Sequence, residues 1–200
     1  MKMTVPLRAM PTTTLDLSTS GSGHSTAFAW NSPHEILDGK SRVVLMDADI
    51  VYEPDVFVRL GTASGGRSKT LVCSAYRHTN EEVLVFSRPE ASEIPAFHGK
   101  GLLGTALVRH LACVGEATGI LLWEPEDHAL LRAVTDWTMG YSTAKTRSEH
   151  EDITQRMMLL DRMQTVGLGD DVLFMECDTP DEYEVLTREF YPALRAKLAP

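Results

Sequence analysis

The chain has 200 residues, enough for one sizeable core or for one domain with a small appendage. Its hydrophobic content of 43% and charged content of 24% are ordinary for a globular protein, and a net charge of -9 argues against broad, sequence-independent binding of nucleic acid, which needs a basic surface. No apolar run approaches the roughly 18 residues of a membrane span, and residues 1–23 hold no apolar signal-peptide core, so a cytoplasmic protein is expected.

Residues 1–23, with Pro6, Pro11, a Thr/Ser run and Gly21-Ser22-Gly23, read as an N-terminal arm, and residues 24–200 as an α/β domain. A short helix is expected over 24–30. Residues 42–48, RVVLMDA, form the first strong strand, because β-branched and apolar residues in a short run suit a buried strand. Pro54 then suits a helix start, Glu53 and Asp55 favour its positive end, and residues 55–60 form the element.

Residues 61–69 read as a loop, 70–76 and 83–87 as strands with a turn at Thr79-Asn80-Glu81, and 99–104 as an irregular glycine-rich stretch. Residues 106–113 suit either a short helix or a strand edge. A short buried strand follows at 119–123. Glu124-Pro125-Glu126-Asp127 opens a helix that Gly140 ends, and 149–163 is helical with Ile153, Met157, Leu160 and Met163 as its apolar stripe. Residues 171–177 read as a strand, and Thr179 and Pro180 as the cap and first turn of a last helix reaching about residue 196. Strands alternating with helices imply an α/β layered domain.

The chemistry gathers at strand ends. Asp47 and Asp49 follow the strand over 42–48 and project from one face if the extended conformation continues. Adjacent carboxylates at the end of an apolar strand call for a compensating cation or donors, and Asp178 occupies a comparable place after the strand over 171–177. Asp49 and Asp178, with Asp47 as a nearby or water-mediated contact, make a donor set for Mg2+ beside phosphate; turn capping by all three is the alternative. Lys100, between Gly99 and Gly101, is placed either to contact a phosphate or to remain a solvated loop lysine. Glu116 is placed to accept from a substrate ammonium or hydroxyl, or is plain loop charge. In His150-Glu151-Asp152, an acidic residue faces a polar pocket or serves the helix dipole, and His150, lacking a visible partner, is not read as a general base.

Arg67, Lys69 and Arg77 are further anion-holding candidates. Cys73 and Cys177 suit buried free thiols, since three widely spaced cysteines form neither a disulfide framework nor a metal-ligand pattern. Trp30, Trp123 and Trp137 suit core or rim packing. The histidines form no HExxH pattern, and no GxSxG elbow occurs.

These motifs together resemble the nucleotidyltransferases related to the sugar-phosphate and phosphocholine enzymes, and are most similar to bacterial phosphonate cytidylyltransferases. VVLMDADIVYEPDVFVRL matches their strand, aspartate and helix, LVCSAYRHTNEEVLVF the following strand pair, and HGKGL the phosphate-contacting lysine segment. GEATGILLW, HEDITQRM and ECDTPDEYE match the glycine-glutamate strand, the acidic helix start and the terminal metal-binding segment. The resemblance implies a three-layer, mostly parallel or mixed sheet of the GT-A-like type. It implies transfer of a nucleoside monophosphate, CMP from CTP being favoured, to a small phosphate or phosphonate with release of pyrophosphate. By position, Asp49 and Asp178 match the metal ligands, Lys100 the phosphate contact, Glu116 an acceptor-group contact and Asp152 an acidic substrate-side position, with Mg2+ as cofactor.

One departure stands out. The family begins with a strand and a glycine-rich basic loop that cradles the triphosphate, and residues 1–23 contain neither. The resemblance therefore implies a domain truncated at its N-terminus, with a sheet edge to be covered by an arm, a second copy or a completing subunit. An inactive remnant and, through Asp47-Ala48-Asp49, a metal-dependent glycosyltransferase are the alternatives; ECDTPDEYE and HGKGL favour nucleotidyl transfer.

Overall fold

A computed structural model describes residues 21–75, 82–141, 148–169 and 171–199. Arg77, the turn at Thr79-Asn80-Glu81 and residues 1–20 of the expected arm lie outside them. The described elements are α1 (Ser22–Trp30), β1 (Val43–Met46), β2 (Ile50–Tyr52), α2 (Asp55–Thr62), β3 (Ser68–Cys73), β4 (Leu84–Arg88), β5 (Ala91–Gly99) and β6 (Ala112–Trp123). After them come α3 (His128–Tyr141), α4 (His150–Leu159), β7 (Met163–Gly167), β8 (Phe174–Glu176), α5 (Pro180–Val185), a π-helical turn (Leu186–Phe190) and α6 (Tyr191–Leu198). The helix expected over 24–30 starts two residues earlier, at Ser22.

Six strands form one mixed sheet in the order β5-β4-β6-β3-β7, with β1 also paired to β6. Only β3 and β7 run parallel; β1, β3, β4 and β5 meet their neighbours antiparallel. Of the mostly parallel or mixed sheet that the resemblance implies, the structure has the mixed form. The reason is β6, which is 12 residues long where a short strand was expected. Its length lets β4 pair along its first half and β1 along its second, on the edge opposite β3.

Helices cover both faces, giving three layers. On one side α1, α3 and α4 supply Trp30, Leu131, Val134, Ile153 and Met157 to a core with Val72, Val85, Leu121 and Trp123. Buried positions 131, 134, 135 and 138 of α3 repeat at the spacing of one helical face. On the other side α2 turns Val56 and Leu60 onto Leu71, Ile120 and Leu122. Both α2 side chains are fully buried, each stabilising the layer by roughly 1.5–3 kcal/mol. The apolar stripe of α4 is shorter than expected, because Leu160 is exposed and Met163 begins β7. β5 and β7 were not expected as strands. Thr179 caps α5 as expected, accepting from the Glu182 backbone N–H.

Cations and carboxylates pair inside the start of the sheet. Lys69, 1% exposed, donates to Glu124 Oε1 at 2.6 Å, and Arg42 donates to Glu124 Oε2 at 2.9 Å. Burial opposes ionisation of Glu124, but these two donors outweigh it and hold the carboxyl below its usual range. Buried Asp127 accepts from Ser68 Oγ and from Arg162 Nε, both at 2.6 Å. The anion-holding expectation for Lys69 is corrected by this pairing, and Arg67 is engaged with Asp161 at 2.6 Å. The three cysteines form no disulfide and are half-buried rather than buried, and Trp137 is exposed while Trp30 and Trp123 lie in the core.

Candidate active site

A cleft of about 670 Å³ opens where β1 ends, lined by Asp47, Lys100, Glu116, Gly119, His150, Glu151, Glu176 and Asp178. Its position follows from topology: in open α/β sheets, loops leaving the carboxyl ends of strands form the ligand crevice. Asp47 leaves the end of β1 with its N–H donating to Gly119 O at 3.1 Å. Gly119 has φ of +68°, and a methyl group built there would overlap the Asp47 carboxylate. Glycine at that position therefore gives the carboxylate its seat against β6.

A small second sheet brings the distant carboxylates together. β2 pairs antiparallel with β8, setting Ile50 opposite Glu176, and Cys177 N donates to Asp49 O at 2.9 Å. Carboxylate oxygens of Asp49, Glu176 and Asp178 consequently lie within 4.8 Å of one another, all three residues being solvent-exposed. Glu176 was missed from sequence. The signal was available, since Glu176 and Asp178 are two apart in an extended segment and share a face, just as Asp47 and Asp49 were read to do.

Mutual repulsion marks this end of the cleft. Burial, and then the neighbouring charges of Asp178, Asp49, Glu116 and Asp47, push the Glu176 carboxyl up to about 7. The Asp47 carboxyl is also pushed up, chiefly by burial; His150 opposes the shift, and Glu151, Asp49 and Asp178 add to it. Three exposed carboxylate donors, brought close enough to repel one another, would fit a small hard divalent ion such as Mg2+. Lys100, in the turn after β5, places an exposed ammonium on the same cleft.

Opposite stands the start of α4. His150 Nδ1 lies 3.1 Å from Ser22 Oγ, 3.2 Å from Glu151 Oε2 and 4.0 Å from Asp47 Oδ1. Beneath it, buried His98 contacts the Glu151 carbonyl through Nε2 at 2.8 Å, and burial pulls its pKa down, so the neutral ring donates there. Asp152 lies outside the cleft lining, with its Oδ2 accepting from the Glu149 N–H at 3.0 Å in the cap of α4. Glu151 and His150 face the cleft instead. Thus Asp47, Lys100, Glu116 and Asp178 share one cleft, Asp49 joins Asp178 through the carboxylate cluster, and Asp152 caps a helix.

No protein-family model matches the sequence, and no curated protein matches it. Solved structures do match in fold. The inositol-1-phosphate CTP transferase of T. maritima superposes with a TM-score of 0.61 over 91% of this chain and 65% of its own, at 12% identity. A protein assigned as a glucose-1-phosphate thymidylyltransferase from Bacillus anthracis, solved with sucrose, gives 0.57 over 86% and 62%, at 14% identity. The chain therefore shares the α/β fold of these structures, and spans about two thirds of their length. Among the described residues no helix is long and apolar enough to cross a membrane.

Proposed function

We propose that this chain is a Mg2+-dependent nucleotidyltransferase that moves a nucleoside monophosphate, CMP from CTP, to a small phosphate or phosphonate acceptor and releases pyrophosphate. The observation that carries the reading is the cluster of Asp49, Glu176 and Asp178 at a cleft that also holds Lys100. Asp49, Glu176 and Asp178 would hold Mg2+, with Asp47 beside them; the bound ion would supply charge neutralisation at the phosphates. Lys100 contributes a mobile point charge to the transferring or leaving phosphate. Glu116, half-buried on β6, contacts the acceptor's donor groups, and Asp152 fixes the helix end from which Glu151 and His150 reach the cleft. The acceptor oxyanion attacks the α-phosphorus directly, so no protein nucleophile is required. The CTP preference rests on the motif resemblance alone.

Pyrophosphate release across a panel of nucleoside triphosphates and small phosphate or phosphonate acceptors tests the reaction. Calorimetry with Mg2+ and CTP on wild type and Asp49→Ala tests the metal site, and equal affinity in both sinks that assignment. A folded sample inactive with every pair counts against the proposed reaction.

A further inference from the structure

We propose that His150 is an acceptor-contacting residue, whose Nε2 lone pair takes a hydrogen bond from a donor group carried by the phosphorylated acceptor. The tautomer follows from Ser22. Its hydroxyl lies 2.8 Å from Glu149 Oε2, an acceptor only, so the single hydroxyl proton goes there. The same oxygen accepts from the His150 backbone N–H at 2.8 Å. At 3.1 Å from Ser22 Oγ, Nδ1 has no proton to receive from it and must itself donate. Glu151 Oε2 and Asp47 Oδ1, at 3.2 and 4.0 Å from Nδ1, favour a proton on that nitrogen as well. In the neutral ring Nε2 is then a pure acceptor.

That acceptor belongs to a residue of the cleft wall. His150 lines the cavity, and among the described residues its Nε2 has no hydrogen-bond partner and keeps some access to solvent. The ring cannot swing freely, because Ser22 ties it to α1 while its own backbone starts α4. A fixed lone pair flanked by the carboxylates of Glu151 and Asp47 repels a bare phosphate and welcomes an O–H or N–H. The triphosphate is accordingly directed to the Asp49, Glu176 and Asp178 end, and the donor-bearing part of the acceptor to His150. Beyond its neighbour Glu151, His150 gains a second partner from Ser22 across the fold.

The inference rests on the nucleotidyl-transfer reading for the identity of the ligand, and the test separates the two. Ring-nitrogen NMR of the apo protein should report the Nδ1–H tautomer for His150; an Nε2–H tautomer overturns the proposal. Titration with 2-hydroxyethyl phosphate, 2-aminoethyl phosphate and ethyl phosphate, with Mg2+ present, should shift Nε2 only for the first two. Their relative effect distinguishes a hydroxyl from an ammonium donor, and a shift with neither overturns the proposal even if no turnover occurs. With turnover, His150→Gln should lower kcat/KM for the donor-bearing acceptors about tenfold while leaving ethyl phosphate and the KM for the nucleotide unchanged. Ser22→Ala, which frees the ring, should show a smaller loss of the same pattern. Equal losses on all three phosphates indicate a structural role and overturn the assignment. Absence of turnover in wild type with intact ligand shifts counts against the reaction, not against His150.

Discussion

Two acidic regions of this molecule treat carboxylates in opposite ways. Inside the start of β3, Glu124 and Asp127 are buried, and each is matched by cations from elsewhere in the chain: Lys69 and Arg42 for one, Arg162 for the other. At the cleft, Asp49, Glu176 and Asp178 converge, none of them in an ion pair among the described residues, and Glu176 is pushed up to about 7. The first region pairs its carboxylates with the chain's own cations. The second leaves them unneutralised at a solvent-facing mouth, the arrangement expected where a ligand brings the positive charge. The first region borders the six-stranded sheet and the second the two-stranded sheet of β2 and β8, and they differ in pairing as well as in burial.

The comparison breaks most visibly at Lys69. Lys69→Ala strips a buried carboxylate of its closest donor, leaving Glu124 to Arg42, which is half in solvent. Loss of one partner of a buried pair is expected to lower stability by about 3–5 kcal/mol, read as a drop in denaturant midpoint at constant slope. Activity of the surviving folded fraction should be little changed. A loss under about 1 kcal/mol would place Lys69 with ordinary surface ion pairs.

Asp178→Asn sharpens the other side. Removing an exposed, unpaired charge should leave stability within about 0.5 kcal/mol of wild type. Mg2+ affinity, followed by calorimetry, should fall at least about tenfold, because the donor set loses a charged ligand. Unfolding of Asp178→Asn with unchanged Mg2+ binding would reverse the roles of the two regions.

The sequence exposed the cleft's ends better than its middle. Asp47, Asp49 and Asp178 were legible because a charged residue after an apolar strand has few structural uses. The alternation that reveals Asp47 and Asp49 applies equally to Glu176 and Asp178, yet Glu176 was read as part of its strand. Lys69 misled for the reverse reason: a lysine in a stretch read as loop is expected to be exposed, and only the chain-distant Glu124 makes its burial tolerable. The pairing of β2 with β8 and the grip of Ser22 on His150 are contacts between distant segments, invisible to local patterning. The sheet's handedness of pairing was hidden similarly, since the glycines of β6 read as breaks in what is one long strand.

The smallest effect, and the finest probe of the contrast, is its dependence on pH. Folding raises the Glu176 pKa from 4.5 to about 7, chiefly through burial and then through Asp178 and Asp49, so the folded state holds this proton more tightly than the unfolded chain. The stability it contributes is complete below about pH 4.5, declines as pH rises, and is gone above about 7. Asp47, raised as well, adds a decline of the same sign. Glu124 runs the other way: its carboxyl is held low by Lys69 and Arg42 against burial, so its contribution stands above 4.5 and fades as pH falls through the lowered value. In metal-free buffer, Glu176→Gln should flatten part of the decline between pH 4.5 and 7, with Asp47→Asn removing more, while the acid loss near Glu124 persists in both. Melting temperatures across that range decide the point. A decline unaltered by either substitution would mean that the cleft carboxylates are not strained by one another, and the contrast with the paired region would lose its physical basis.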